Sequence, residues 1–200
     1  RRPETADSNI LDLYIWLNCY PTWYFTNDKG LMWVAKSEDG QYYSSIPCCK
    51  DEDLKECFLE TQKYFNEVLQ KKLVMYVVDK AAVDLLQLPE DEYVVVPDRT
   101  YADYVYDAEK LRTFSGKKYH KKKNHLNAFK REYEGRYEFK FLSKKDEPEI
   151  LAFLEDWKKH KSDTEEHEFI DSEAVGIKYI LEHEEVFDYK IGAVYVDNKL

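Results

Sequence analysis

Between Ser115 and Arg131 the chain carries seven cations and no acid: Lys117, Lys118, Lys121, Lys122, Lys123, Lys130 and Arg131. Such a run can hold an anion, and phosphate is an anion that lysines grip as point charges. Wound as a helix at about 100° per residue, Tyr119, Leu126, Phe129 and Tyr133 share one face. Lys117, His120, Lys121 and Asn124, spaced by three and four, fall on another. The first face packs and the second meets a ligand. Ser115-Gly116 in front of the run adds free backbone donors and the positive end of the helix dipole. The candidate binding residues are therefore Lys117, Lys118, His120, Lys121, Lys122 and Asn124, and the ligand class is phosphate-bearing: a nucleotide cofactor, tRNA or a phospholipid headgroup. The plainer alternative is a solvated helix whose lysines answer the rest of the chain, where the other 23 cations face all 40 acids.

Other residues with chemistry to offer are less well arranged. His120 and His125 stand five apart, about 140° around a helix, which is wrong for sharing a metal, and no metal is expected. His120 reads as one more polar contact or a partly buried packing residue, with a general base as the alternative. His160, His167 and His183 are assigned no role. Asp51-Glu52-Asp53 and Glu165-Glu166 lack metal-loop spacing and read as a helix start and a solvated loop. Trp16, Trp23, Trp33 and the 17 tyrosines invite base stacking or sugar binding, but their positions on apolar faces favour core packing. Cys19, Cys48, Cys49 and Cys57 show no ligand spacing, and the adjacent pair is a poor disulfide, so reduced thiols and a cytoplasmic setting are expected.

A chain with 44% hydrophobic and 16% aromatic residues is expected to fold throughout, despite a net charge of −10. No apolar run nears the roughly 18–20 residues of a membrane span, the longest being Leu73–Val78, so no transmembrane segment is expected. Arg1-Arg2-Pro3-Glu4 is followed by no apolar stretch of a signal peptide, and a start without Met is expected of a trimmed chain.

The elements that must position the basic run begin with a helix over Ser8–Leu17, capped by Ser8. An antiparallel meander follows over Thr22–Thr26, Leu31–Lys36 and Gln41–Ser44, turned at Asn27–Gly30 and Ser37–Gly40. Then come a long helix Asp51–Lys72, a buried strand Leu73–Val78, a helix Lys80–Gln87 and a strand Tyr93–Val96. A second unit opens near Arg99, with a strand Tyr101–Tyr106, a helix Asp107–Phe114 capped by Asp107, and the basic helix Lys117–Tyr133 closed by Gly135. A strand Tyr137–Leu142, helices Asp146–Lys161 and Ser172–Glu184, a strand Ile191–Val196 and a turn at Asp197–Lys199 complete it. The pattern is α+β. Leu200 would start a returning strand, so a continuation is expected.

Three runs carry a family resemblance: Asn9–Trp16, the stretch Tyr101–Tyr106 with Leu111 and Ser115–His125, and Ala193–Leu200. Together they resemble a bacterial family of unknown function related to the C-terminal domain of phosphatidylglycerol lysyltransferases. The resemblance implies two tandem GNAT-like (acyl-CoA N-acyltransferase-like) domains of mixed sheets flanked by helices, residues 1–98 and 99–200, the second incomplete in this chain. It implies transfer of an acyl or aminoacyl group from a CoA ester or an aminoacyl-tRNA onto an amine. In such folds the donor's pyrophosphate lies on backbone N–H groups, which in the first domain would be near Ser44–Asp53. Pro47-Cys48-Cys49-Lys50 stands there in place of a glycine-rich loop. Transfer from an activated donor needs positioning, an oxyanion site and one proton acceptor but no nucleophile, so no catalytic residue is singled out. The alternative reading is a non-catalytic module of the same fold that recognises RNA or an anionic lipid surface by peripheral membrane contact. A structural role in a larger complex is a third.

Overall fold

In a computed structural model that describes residue 5, residues 9–161 and residues 167–200, the aromatic and β-branched runs near the N-terminus form an antiparallel sheet. Strands β1 (Thr22–Thr26) and β2 (Gly30–Lys36) pair from Thr22 opposite Ala35 to Thr26 opposite Leu31. Their turn is fixed by Asn27, whose Oδ1 accepts from the N–H groups of Lys29 at 2.9 Å and Gly30 at 2.8 Å. The other edge of β2 serves two short strands, β3 (Tyr42–Tyr43) at its end and β4 (Cys48–Cys49) at its start. Gly30 is required here, since a Cβ would lie 2.9 Å from the Cys49 Cβ and 3.0 Å from the Cys48 carbonyl oxygen.

Helix α1 (Ile10–Ile15) begins at Asn9, whose Oδ1 accepts from the Leu11 N–H at 3.0 Å; the expected cap, Ser8, lies outside the described residues, as do Glu165 and Glu166. The core of the sheet gathers Met32, Ile46 and Cys49 against Leu54, Cys57 and Phe58 of α2 (Leu54–Lys63) and against Ala82 and Leu86 of α3 (Lys80–Leu86). The long helix expected over Asp51–Lys72 is instead three pieces. A 3₁₀ turn at Asp51–Asp53 leads into α2, and a wider π turn at Tyr64–Val68 follows, with the Leu69 N–H reaching the Tyr64 carbonyl at 3.1 Å. Gln70, at φ 54°, then turns the chain away.

Three expected strands are corrected. Leu73–Val78 makes one parallel bridge, Met75 to Ser44, before Val77 leaves the extended region at φ 54°. Tyr93–Val96 and Tyr101–Tyr106 form no ladder among the described residues; Val94 is 87% exposed and Tyr104 89%. Their residue types favour strands, but a strand also needs a neighbour to take its N–H and C=O groups. The tryptophans are corrected too. Trp23 is exposed, and Trp16 and Trp33 are only half-buried.

These elements belong to the first of two units, which holds the described residues within Arg1–Ala102 and Thr164–Ile180. The later segment is most of α7 (His167–Glu182), a helix starting earlier than the expected Ser172. In this unit Tyr14 of α1 stacks on Tyr179 with ring centres 5.4 Å apart, and Gly176 sits against the Ile15 backbone.

The second unit holds the described residues within Asp103–Asp163 and Leu181–Leu200. Asp107 caps α4 (Ala108–Thr113) by accepting from the Lys110 N–H at 2.9 Å. Phe114 and Gly116, at φ 49° and 95°, end it. A 3₁₀ turn, Lys117–Tyr119, then leads into α5 (His120–Glu132). Strands β5 (Tyr137–Leu142) and β6 (Ile191–Val196) pair antiparallel from Tyr137 opposite Val196 to Leu142 opposite Ile191. Between them Ser143 and Asp146 form a capping box ahead of α6 (Glu147–Lys161). After β6, Asp197 and Asn198 at φ 52° and 62° turn the chain so that Val196 and Lys199 exchange two backbone hydrogen bonds. The molecule is α+β. Among the described residues, no helix is long and apolar enough to cross a membrane.

Candidate functional site: the basic helix and its tyrosines

The start of the basic helix is open. No side chain caps the Lys117–Tyr119 turn or the first turn of α5, so the dipole end keeps its donors for another acceptor. Tyr119 anchors the segment at 2% exposure, and its buried hydroxyl makes no hydrogen bond among the described residues. Leu126, Phe129 and Tyr133 continue the same half-buried side, Phe129 lying 5.0 Å from Tyr133 and 5.3 Å from Tyr137 between ring centres.

All six candidate residues are exposed, but they divide into two groups. Lys117, His120, Lys121 and Asn124 lie on the face turned away from the packed side, as the helical spacing requires. Lys118 and Lys122 flank the packed side. Their ammonium groups sit 5.5 Å from the Tyr119 ring centre and 5.0 Å from that of Tyr106. Tyr106 in turn lies 6.4 Å from Tyr119 and stacks on Tyr104 at 6.5 Å with 17° between planes. A row of phenol rings therefore borders the lysines, and Tyr104 is almost fully exposed. The sequence hides this row, because Tyr101–Tyr106 has the alternation of a strand. His125 is exposed on α5.

No ion pair is made by Lys117, Lys118, Lys121, Lys122, Lys123, Lys130 or Arg131 among the described residues. The neighbouring cations behave differently. Lys110 pairs with Asp107, Arg112 with Glu109, and Arg136 with Asp197. Asp107, Glu109 and Asp197 are thus taken by cations outside the basic run.

A second cluster escaped the sequence. Tyr195 of β6 donates to Glu149 Oε2 of α6 at 2.7 Å, beside a wide hollow of about 470 Å³ that Lys140, Lys145 and Asn198 also line. Lys140 Nζ stands 4.7 Å from the Tyr195 ring centre. The hydrogen bond to Glu149, and then burial, push the Tyr195 phenol up to about 12. A phenol held that high keeps its proton near neutral pH, so the pair ties α6 to β6 rather than relaying protons.

The sequence model of one family, described as phosphatidylglycerol lysyltransferase, C-terminal, matches residues 2–200. The chain belongs to that family. An uncharacterised protein of Mycoplasmoides gallisepticum is 28% identical over 100 residues, covering 50% of this chain and 32% of its own length. A crystal structure of a conserved protein of unknown function from Bacteroides thetaiotaomicron VPI-5482 superposes with a TM-score of 0.83 at 26% identity. That match covers 98% of this chain and 65% of the other. The chain therefore spans about a third of one relative and just under two thirds of the other. Membership of the lysyltransferase C-terminal family is consistent with transferase-like chemistry, and the family relates to a lipid-modifying enzyme.

Proposed function

We propose that this chain is an acyl- or aminoacyl-transferase-like protein of tandem GNAT-like architecture, domains 1–98 and 99–200, that holds a phosphate-bearing donor at α5. The donor is a CoA ester or an aminoacyl-tRNA. Lys117, Lys118, Lys121 and Lys122 take its phosphates, with His120 and Asn124 as polar contacts. The observation that carries this reading is that seven cations make no ion pair among the described residues, while Lys110, Arg112 and Arg136 beside them do. A helix that merely answered surrounding acid would spend its lysines on those acids. The tyrosine row adds ring faces on which a base of either donor can stack.

In the transfer, an amine nitrogen attacks the donor carbonyl carbon, a C–N bond forms and the ester C–O or thioester C–S bond breaks. The amine proton leaves to a base, for which His120 is the candidate on this helix. The family membership supports this chemistry at the coarse level. Titrating fluorescently labelled tRNA and a CoA ester into the protein and into K117A/K118A/K121A/K122A tests it. We expect the variant to lose binding of at least one of them; unchanged affinity for both sinks the reading.

The exposed Tyr104 and Val105 beside the lysines favour a second reading, a non-catalytic module for RNA or an anionic lipid surface. That module would bind with steep salt dependence and little preference between charged and uncharged tRNA, and would release no product.

A further inference from the structure

The first unit contains a cavity of about 850 Å³, within the roughly 300–1,000 Å³ of small-molecule sites. Its walls come largely from α1, β2, the turn after β2, and single residues further along: Tyr76, Val77, Tyr101 and Phe169. Two properties set it apart. Six aromatic side chains, Trp16, Tyr20, Trp33, Tyr43, Tyr76 and Tyr101, line it together with Phe169. The second property is the state of its charges. No Lys, Arg or His is among the described residues that line it. Its acids are engaged or out in solvent: Asp39 accepts from the Ser37 hydroxyl and the Gln41 N–H, Asp12 has a partner, and Glu38 is exposed. The cavity therefore holds no charge that calls for a counter-ion, and no cation to receive an anion.

The rings support one another. Tyr20 meets Tyr43 edge to face with ring centres 6.5 Å apart, and Tyr43 meets Tyr76 in the same way at 5.3 Å. Tyr101 lies tilted 6.4 Å from Tyr76, and Trp16 stands edge to face with Phe169 at 6.5 Å. None of the four phenol hydroxyls makes a hydrogen bond among the described residues. The sealed, unpartnered hydroxyls among those residues are instead Tyr119 and Tyr189, so those of half-buried Tyr20 and Tyr43 open onto space that a ligand can enter. Burial above all raises both phenols, Tyr43 to about 12, so each keeps its proton as a hydrogen-bond donor. The indole N–H of Trp33, by contrast, is already given to the Ser45 hydroxyl. Val77 at φ 54° is a β-branched residue in the left-handed region, a strained conformation of the kind a structure keeps where it shapes a site.

Ring walls, free phenol donors and no charge in need of a partner favour one ligand chemistry. An anion meets three carboxylates and no cation. An aliphatic molecule forfeits the ring-on-ring contacts, and it displaces water from the phenols without replacing that water's hydrogen bonds. We infer that the cavity binds an uncharged, planar aromatic molecule that carries a carbonyl or ring-nitrogen acceptor, packed against the Trp16, Trp33 and Tyr76 rings and accepting a hydrogen bond from Tyr43. The site belongs to the first unit and does not rest on the phosphate site proposed on α5, so either can fail alone.

The test uses three bicyclic lactones, each titrated into the whole chain with calorimetry and saturation-transfer NMR as readouts. Coumarin is flat, neutral and carries a carbonyl acceptor; octahydrocoumarin keeps the acceptor and the size but has no aromatic ring; coumarin-3-carboxylate keeps the ring and adds a negative charge. Coumarin is expected to saturate with a Kd below roughly 5 mM, and the other two to bind at least about fivefold more weakly. The Tyr43 hydroxyl makes no hydrogen bond within the protein, so Y43F keeps the fold, and it should weaken coumarin roughly 2- to 10-fold through the lost donor. W16L removes a half-buried ring from the wall and should weaken it by a similar factor. Circular dichroism checks that both variants are folded. No saturation by coumarin, equal binding of either comparison lactone, or parental affinity in both Y43F and W16L overturns the inference.

Discussion

Cys49 and Cys57 sit where water does not reach, and burial above all raises both thiols, Cys49 to about 12. A thiol attacks as its thiolate, so at pH 8 iodoacetamide is expected to leave both unmodified in the native protein and to label them in urea. Labelling of either in the folded state contradicts the packing described here. The same shift makes stability depend on pH. In the unfolded chain Cys49 ionises near 9.0 and Tyr43 near 10.0, whereas both are held near 12 in the fold. The stability gained by keeping them neutral is complete below pH 9 and disappears as pH climbs toward 12. The urea midpoint should therefore fall steadily from pH 9 to 11, with little change between pH 7 and 8.5. Gly30 belongs to the same packing. G30A places a carbon within 3.0 Å of Cys57 Sγ and the Cys48 carbonyl, and should cost roughly 1–3 kcal/mol in denaturant unfolding. None of these consequences is legible in the sequence, where Cys48-Cys49 and Gly30 are only local punctuation.

Elements bounded by their own turn chemistry could be read in advance. β1, β5 and β6 have the expected bounds because alternation runs between clear stops. The turn after β6 is one such stop, and it can be tested. Asp197 and Asn198 occupy the left-handed region, which Asn tolerates and a β-branched residue does not. N198V should cost about 1–2 kcal/mol and N198G close to nothing, read from melting temperature. Equal effects would mean that the turn does not hold this conformation. The misread segments share one cause. Leu73–Val78, Tyr93–Val96 and Tyr101–Tyr106 have strand composition, but the fold gives none of them a full neighbouring strand. Composition reports what a residue tolerates, whereas pairing is decided by distant parts of the chain. The basic helix, by contrast, was legible because its faces follow from spacing alone. The tyrosines beside it were not, and the cavity of the first unit could not be, since its walls come from segments as far apart as Asn9 and Phe169.

Across the whole molecule, charge is sorted: a net −10 with seven cations gathered on one segment, where they make no ion pair among the described residues. Binding of tRNA at that segment should release counterions from about four phosphates, giving a log Kd against log salt slope near 3. A slope near zero would show that the lysines do not carry the contact, and a much steeper one would show that the rest of the surface joins in. Sorted charge of this kind keeps the remaining surface from coating nucleic acid, because its excess acids repel phosphate. The first unit also draws together segments far apart in sequence, and Gly176 meets Ile15 backbone to backbone. That contact sets a timetable for synthesis. A ribosome adding about 5–20 residues per second needs roughly 4–15 s to pass from residue 102 to residue 176. During that interval the nascent first unit has its sheet but not its closing helix, and the second unit's chain is already emerging. Its early helices are therefore made before its predecessor is finished, and a chaperone that shields α1 would have its work in those seconds.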